Sequence, residues 1–310
     1  MPGIEKFNGL VAAPFTPMDS RGNLNIGLIA GYYRFLEVNG ISGAFVNGST
    51  GEGPSLTQKE KQANAREWAK CMISGGSIRV INLVGGTSCQ ECIENALFSR
   101  ENGLSAIAVV APYYFKPSDT GALAEFVSRV GESVPGMPVY FYHIPSLTGV
   151  YLPMADFLEK ISVMLPNFAG IKYTHEDFMD FAKCLQFKDG AYDMLWGRDE
   201  CLLPALSLGC TGAVGSTYNY AAPLYLSLIE AFGRGDLATA RKLQQRSVQI
   251  VDILGRYGGI AAGKSFMRFI GMDLGSYRTP VKNPDNHMYE MFLADVRKLG
   301  MEEFFSKLAG

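Results

Sequence analysis

Short runs of β-branched and aromatic residues alternate along most of this chain with longer segments of helical periodicity. The alternation predicts parallel strands joined by crossover helices. Consecutive strands are separated by the length of one helix, with no long break before residue 230. The eight expected strands are Leu10–Phe15, Ala44–Asn47, Arg79–Leu83, Ala106–Ala111, Val139–His143, Phe168–Tyr173, Tyr192–Trp196 and Ala213–Ser216.

The segments between these strands have the periodicity of amphipathic helices. Thr57–Met72 is one, opened by Thr57 and Glu60 at the spacing of a capping box, and Gly121–Val130 is another. After the eighth strand the pattern changes, because helical segments follow one another with no strand between them. Those segments are Ala222–Phe232, Asp236–Leu254 and Tyr289–Leu308.

Eight such units fit a closed (β/α)8 TIM barrel, which takes about 250 residues. An open doubly wound sheet is the main alternative, and it usually carries a glycine-rich nucleotide turn after its first strand. Here the first strand ends in Pro14-Phe15-Thr16-Pro17, which cannot cradle a pyrophosphate. We therefore expect an α/β fold with a TIM barrel over residues 1–232 and a C-terminal helical extension over residues 233–310.

The composition of the chain argues against nucleic acid and membranes as binding partners. With 19% charged residues and a net charge of −2, the chain has no basic excess that would attract nucleic acid. The opening segment lacks a basic n-region and interrupts its apolar run with prolines, and no uncharged apolar stretch is long enough to span a bilayer. We expect a cytoplasmic protein without membrane contact, whose six cysteines stay reduced.

Chemistry in a TIM barrel sits where the strands end, at the C-terminal face. Lys172 ends an apolar run there, and burial in the barrel mouth would lower the pKa of its amine and free it to attack a ketone. Most lysines are solvated surface charges, and Lys172 is taken as the exception. Tyr142 lies near the end of the preceding strand and could exchange a proton near Lys172, although strand tyrosines more often only pack.

Three other strand ends carry polar groups. The turn Asn47–Gly53 offers backbone N–H groups and the hydroxyls of Ser49 and Thr50, which suit a carboxylate, or it serves only as a tight connection. Asp199 and Glu200 follow strand seven, either as helix-start charges or as acceptors for polyol hydroxyls. Strand eight runs into Ser216.

Two motifs are expected to be misleading. Gly258–Ser265 satisfies the P-loop pattern in full, but the segment before it is helical, so a connection between helices is expected rather than a phosphate site. Cys89 and Cys92 form a lone C-x-x-C without a second pair. The three histidines show no metal-ligand spacing, and no metal or cofactor is expected.

The chain resembles the dihydrodipicolinate synthase and N-acetylneuraminate lyase superfamily over essentially its whole length. The motifs that carry the resemblance are Gly48-Ser49-Thr50-Gly51-Glu52, Tyr142-His143-Ile144-Pro145 and Lys172-x-Thr174. Gly197-x-Asp199-Glu200 and the Gly212–Tyr220 run look like the lyase branch. The synthase branch generally has an arginine at position 147 to hold a substrate carboxylate, and Leu147 cannot do this.

The resemblance implies a role for each matching residue. Lys172 would form a Schiff base, Tyr142 would act as acid and base, and Ser49 and Thr50 would bind the substrate carboxylate and join a proton relay. Tyr114 would reach a neighbouring subunit's site, which implies a homotetramer. The rest of the substrate would contact Thr174, Gly197, Asp199, Glu200 and Ser216. His175-Glu176-Asp177 match no known role.

The expected function is therefore that of a class I aldolase. It would cleave N-acetylneuraminate to N-acetylmannosamine and pyruvate, with these small molecules as its partners. A first alternative is a pyruvate-dependent aldolase or dehydratase acting on another 2-keto-3-deoxy sugar acid. A second is a ligand-binding protein that kept the pocket and lost turnover, and a third, nucleotide hydrolysis at Gly258–Ser265, is disfavoured.

Overall fold

A computed structural model describes residues 5–308, and its parallel strands form a closed barrel in which neighbours in sequence are neighbours in space. Pairing of β8 with β1 closes the ring, so the expected TIM barrel is confirmed and the open sheet is excluded. The strands are β1 Gly9–Ala12, β2 Gly43–Val46, β3 Arg79–Leu83, β4 Ala106–Val110, β5 Val139–His143, β6 Phe168–Tyr173, β7 Asp193–Trp196 and β8 Gly212–Gly215.

Three predicted strands, β3, β5 and β6, match in both bounds, and the others shift by a few residues at their ends. The largest difference is at β1, where the predicted residues Ala13 to Phe15 lie beyond the strand. They are nonetheless buried, because the apolar run continues across the mouth of the barrel after the ladder has ended. Periodicity reports burial rather than strand pairing, and it therefore overextends such strands.

Helices surround the barrel, and the capping box predicted at Thr57 and Glu60 is present. The α-helices are α1 Ile29–Val38, α2 Gln58–Ile73, α3 Cys89–Glu101, α4 Thr120–Glu132, α5 Pro145–Thr148, α6 Met154–Met164, α7 Phe178–Gln186, α8 Leu202–Ser207, α9 Tyr218–Gly233, α10 Leu237–Arg256, α11 Ile260–Phe269 and α12 Asn286–Lys298. Among residues 5–308, no helix has both the length and the apolar character needed to cross a membrane.

The alternation of strand side chains divides the core into two layers. Tyr140 and Tyr142 point into the barrel, with Phe45 and Val214 among their neighbours, as expected for one face of β5. Phe141, on the other face, packs in the layer between the strands and the helices. The inner face of β5 therefore carries Tyr142 to the mouth of the barrel.

The extension differs from its prediction in two places. Helix α11 is absent from the prediction, which expects a connection between helices over Gly258–Ser265. Only Tyr257 to Gly259 connect α10 to α11, and Lys264 and Ser265 lie inside the helix. Helix α12 ends at Lys298 instead of Leu308, since Gly300 adopts a positive φ just beyond it.

The proposed boundary between residues 232 and 233 stays a prediction. Helix α9 ends at Gly233 and α10 packs along it, so the extension lies directly against the barrel. Residues 1–4 of the predicted barrel and residues 309–310 of the predicted extension lie outside the described residues.

Candidate active site

A cavity of 330 Å³ opens at the carboxyl ends of the strands. Its volume suits a small-molecule site. Nine of the ten residues singled out from the sequence line it, drawn from the ends of β2, β5, β6, β7 and β8. These are Ser49, Thr50, Tyr142, Lys172, Thr174, Gly197, Asp199, Glu200 and Ser216.

Lys172 and Tyr142 face each other across the β5–β6 ladder. They are partners in the parallel register, and both side chains point into the barrel. The Lys172 Nζ lies 4.0 Å from the centroid of the Tyr142 ring and 4.0 Å from that of Phe45. Lys172 is 4% exposed, and its amine lies against these two aromatic rings at the floor of the cavity.

Burial lowers the pKa of Lys172 to about 7, because the charged form loses its hydration. The Asp199 carboxylate opposes this effect but does not cancel it. A substantial fraction of the amine is therefore neutral near neutral pH. A neutral amine has the lone pair needed to attack a carbonyl carbon.

The phenol of Tyr142 is shifted in the opposite sense. Burial raises its pKa to about 12, while the nearby hydroxyls of Ser49 and Thr174 oppose the rise. Thr174 Oγ1 nevertheless lacks a hydrogen-bond partner of normal geometry. At neutral pH the phenol is protonated, so in the resting site it can donate a proton beside Lys172.

Asp199 is the buried acid of the site. Its Oδ2 accepts hydrogen bonds from the backbone N–H of Thr217 at 2.9 Å and from the Thr217 hydroxyl at 2.6 Å, whereas its Oδ1 has no partner. Burial raises the pKa of Asp199 to about 7, with Glu200 adding to the rise. The free oxygen gives the cavity an acceptor for a hydroxyl group.

The turn after β2 holds its two hydroxyls through an unusual backbone. Asn47 and Glu52 both have positive φ, and a side chain at Gly53 would overlap the Asn47 carbonyl. The Asn47 amide donates to the Lys61 carbonyl and to the Asn82 side chain, which ties the turn to its surroundings. Ser49 and Thr50 are thus presented to the cavity by a fixed loop.

Two glycines create room beside the polar groups. A Cβ at Gly197 would overlap the Thr174 hydroxyl, and one at Gly215 would overlap the Asp199 carboxylate. Glycine is required at both positions because a neighbouring polar side chain occupies the space. Ser216, directly after Gly215, adds its hydroxyl to the same end of the cavity.

Tyr114 does not reach the cavity of its own chain. It is 77% exposed, and its ring packs edge-on against Phe115, which is 86% exposed. The structure describes a single chain, so a role for Tyr114 in a neighbouring site stays a prediction.

The segment His175-Glu176-Asp177 had no expected role, and the structure gives each residue local contacts. Asp177 caps α7 by accepting from the Asp180 backbone N–H. Glu176 forms an ion pair with Arg198, and Arg198 lines the cavity. The Nη1 of Arg198 lies 3.6 Å from Oε1 of Glu200. His175 packs against the rings of His143, Tyr151 and Tyr173.

Sequence reasoning missed one wall of the cavity, which comes from the extension. The end of α10 and the start of α11 cover the site beside β8, with Val251, Leu254, Gly255, Gly259, Ile260 and Gly263. Glycines recur four apart at positions 255, 259 and 263, and of these three Gly263 is the one at a close approach. At Gly263 a Cβ would lie 3.2 Å from the Phe15 ring.

The two motifs expected to be misleading make other local contacts in the structure. Lys264 of the P-loop pattern is buried in an ion pair with Glu52 and is not available to a phosphate. Cys89 and Cys92 are free thiols at the start of α3. Within residues 5–308 no group of three or more His, Cys, Asp or Glu side chains could hold a metal ion.

Comparison with known proteins gives this geometry a family. A sequence profile of the Dihydrodipicolinate synthetase family matches residues 6–299. The chain is 39% identical to N-acetylneuraminate lyase of Gallus gallus, over 89% of this chain and 91% of that protein. It is 36% identical to N-acetylneuraminate lyase of Rattus norvegicus, over 97% and 95% of the two chains.

A solved structure agrees with the sequence relatives. The N-acetylneuraminate lyase of Proteus mirabilis superposes with a TM-score of 0.92 at 34% identity, covering 95% of this chain and 99% of that one. The fold, the order of the site motifs and the extent of these matches lead to one assignment. This chain belongs to the dihydrodipicolinate synthetase family.

Proposed function

We propose that this protein is a Schiff-base aldolase that cleaves N-acetylneuraminate to N-acetylmannosamine and pyruvate. The observation that carries the proposal is the buried Lys172 amine, with its lowered pKa, beside the Tyr142 phenol at the barrel mouth. Relatives named N-acetylneuraminate lyase, similar over nearly the whole chain, favour this substrate over other 2-keto-3-deoxy sugar acids.

The first chemical step joins enzyme and substrate. The neutral Lys172 amine attacks C2 of the open-chain keto acid and forms a carbinolamine. The Tyr142 phenol, protonated at rest, donates its proton to the departing hydroxyl, so that water leaves and an iminium forms. The resulting phenolate lies beside the iminium cation, which stabilises it.

The second step breaks the carbon–carbon bond. Tyr142 takes the proton of the C4 hydroxyl, the C3–C4 electrons move towards the iminium nitrogen, and N-acetylmannosamine departs as the aldehyde. The remaining enamine takes at C3 the proton that Tyr142 has just gained. Water then hydrolyses the iminium to pyruvate and free Lys172, and the proton released in this hydrolysis returns to the Tyr142 phenolate. The water lost in the first step is regained here, and the iminium is the only electron sink required.

The ends of the substrate are held by different parts of the cavity. Ser49 and Thr50, with the backbone N–H groups of their turn, bind the carboxylate next to C2. Asp199, Glu200, Thr174, Gly197 and Ser216 surround the polyol end, where the unpartnered Asp199 oxygen accepts a hydroxyl. Leu147 lines the entrance with an apolar side chain, which disfavours a substrate that carries a second carboxylate there.

The working assembly belongs to the same proposal. The aromatic run Tyr113 to Phe115 stands exposed on the single chain, and apolar patches of this kind are commonly covered by another subunit. We propose a homotetramer in which Tyr114 enters a neighbouring site. Six free cysteines suit a reducing compartment, which supports action in the cytoplasm.

The substrate is tested by comparing N-acetylneuraminate with a 2-keto-3-deoxy sugar acid that lacks the acylamino group. Released pyruvate and the aldehyde product are quantified for both. We expect kcat/KM for N-acetylneuraminate to be at least about tenfold higher, the discrimination that one or two matched polar contacts provide. The reverse preference would move the assignment to another sugar acid.

Changing Asp199→Asn tests the polyol end separately from the pyruvate end. Asparagine keeps an oxygen for the Thr217 donors but removes the charge, so kcat/KM for N-acetylneuraminate should fall about 10- to 100-fold. The pyruvate concentration that half-saturates Lys172 trapping should change by less than about twofold. An equal loss for both ligands would mean that Asp199 acts only through the structure.

The pH dependence of Schiff-base formation follows from the lowered pKa of Lys172. Because only the neutral amine attacks, the rate with pyruvate should be constant above the pKa of about 7 and should decline as the pH falls through it. Well below that value the decline should approach about tenfold per pH unit. Stopped-flow or quenched trapping measures the profile, and a midpoint near the ordinary lysine value of 10.5 would contradict a buried amine.

A further inference from the structure

We propose that the C-terminal extension positions the carboxylate-binding turn, Asn47–Gly53, and with it the hydroxyls of Ser49 and Thr50. Tyr277 acts through its contact with Thr50, and Lys264 acts through its contact with Glu52. This inference rests on the proposed function, because that function assigns binding of the substrate carboxylate to Ser49 and Thr50. Lys264 and Tyr277 are positioning residues, and neither lines the cavity.

Tyr277 contacts the turn at its centre. Its hydroxyl donates to the carbonyl oxygen of Thr50 at 2.7 Å, and its ring packs edge-on against Phe15, which lines the cavity. Thr50 is one of the two hydroxyl residues presented to the carboxylate. The hydrogen bond therefore fixes the backbone from which the Thr50 side chain projects.

Glu52 is held by a second set of contacts from the extension. Its Oε1 accepts from Lys264 Nζ at 2.9 Å, and its Oε2 accepts from the backbone N–H of Arg278 at 2.8 Å. The Lys264 amine also donates to the Ser276 carbonyl at 3.1 Å. Both charged side chains are almost fully buried, since Lys264 is 1% exposed and Glu52 is 3% exposed. The three hydrogen bonds just described hold them within the protein.

A buried ion pair is weak evidence for stability, since removing two charges from water offsets most of their attraction. Its use is better explained by the conformation that it selects. Glu52 has a positive φ, which non-glycine residues adopt rarely, and the pair holds this residue in place. The pair thus maintains the strained end of the turn that begins at the equally unusual Asn47.

Helix α11 joins the two parts of this arrangement. Gly259, Ile260 and Gly263 face the cavity, while Lys264 on the same helix reaches the ion pair. These demands explain the P-loop pattern, because Gly258 and Gly259 adopt positive φ before the helix, Gly263 lies close to the Phe15 ring and Lys264 pairs with Glu52. A shift of α11 would therefore alter both the wall of the cavity and the carboxylate-binding turn.

The test compares ketones with and without a carboxylate. Borohydride trapping at Lys172 is measured as a function of the concentration of pyruvate and, separately, of acetone. Both series are run on the unchanged protein and on the variant Tyr277→Phe. We expect the half-saturating pyruvate concentration to rise about tenfold, because a small displacement of a binding group costs that much. Trapping with acetone should change little, since acetone has no carboxylate for the turn to hold.

The matched control is Tyr257→Phe. Tyr257 is another tyrosine of the extension, and its hydroxyl donates to Asp295 at 2.9 Å, away from the turn. It should trap pyruvate and acetone as the unchanged protein does. A Tyr277→Phe protein that binds pyruvate normally, or that loses pyruvate and acetone equally, would overturn the proposal.

The ion pair is tested by the double variant Glu52→Gln with Lys264→Met. This variant removes both charges together and avoids leaving one buried and unpaired. We expect the same selective loss of pyruvate over acetone, and an unchanged preference would overturn the role of the pair. Failure of the proposed function is distinguishable, because the unchanged protein would then show no pyruvate adduct on Lys172.

Discussion

Replacing Lys172 by methionine is expected to lower kcat/KM for N-acetylneuraminate cleavage by about 10⁴-fold or more, the scale seen when a covalent nucleophile is removed. Without the amine no iminium forms, and the electrons of the C3–C4 bond have no acceptor. Methionine has nearly the length of lysine and suits the aromatic surroundings of Phe45 and Tyr142. Release of pyruvate and N-acetylmannosamine measures the effect.

The fold should tolerate this change, because it removes a buried polar group and fills the same space. We expect a melting temperature equal to or above that of the unchanged protein. Lys59→Met on the exposed face of α2 serves as the control and should keep full activity. Residual cleavage by Lys172→Met above about 1% would contradict covalent catalysis by this residue.

Changing Tyr142→Phe is expected to lower kcat by about 10²- to 10⁴-fold, the contribution of a positioned general acid and base. The ring that packs on Lys172 and Phe45 is retained, so only the phenol oxygen is lost. Without it, neither the departing hydroxyl nor the C4 hydroxyl has a proton partner. Steady-state cleavage measures the loss, and trapping with pyruvate should still label Lys172, though more slowly.

Tyr140 provides a matched control on the same strand and the same face. Its hydroxyl donates to Asp193 at 2.9 Å, deeper in the barrel and outside the cavity. Tyr140→Phe should therefore cost stability but leave kcat within a few-fold of the unchanged value. If Tyr140→Phe and Tyr142→Phe lose activity equally, the phenol of Tyr142 has no special role.

The barrel could be predicted from sequence because each strand is a short apolar run between helical segments. Lys172 and Tyr142 were identifiable for a related reason, since each is a polar or reactive group at the end of such a run. Their direct pairing across the β5–β6 ladder depends on the register, which periodicity does not report. The structure supplies that register.

The wall formed by α10 and α11 could not be predicted in the same way. It depends on packing between segments far apart in sequence, and the glycines around the start of α11, Gly258, Gly259 and Gly263, resemble a loop when read locally. The ion pair of Lys264 with Glu52 joins residues separated by 212 positions. The ion pair of Glu176 with Arg198 could not be predicted either, because the two residues follow different strands.

Reductive trapping shows directly whether Lys172 forms a Schiff base. The protein is incubated with pyruvate, reduced with borohydride, digested and mapped by mass spectrometry, and the experiment is repeated with N-acetylneuraminate. A pyruvyl adduct on Lys172 from both ligands is the predicted result. No adduct on Lys172, or an adduct only on another lysine, would contradict the mechanism.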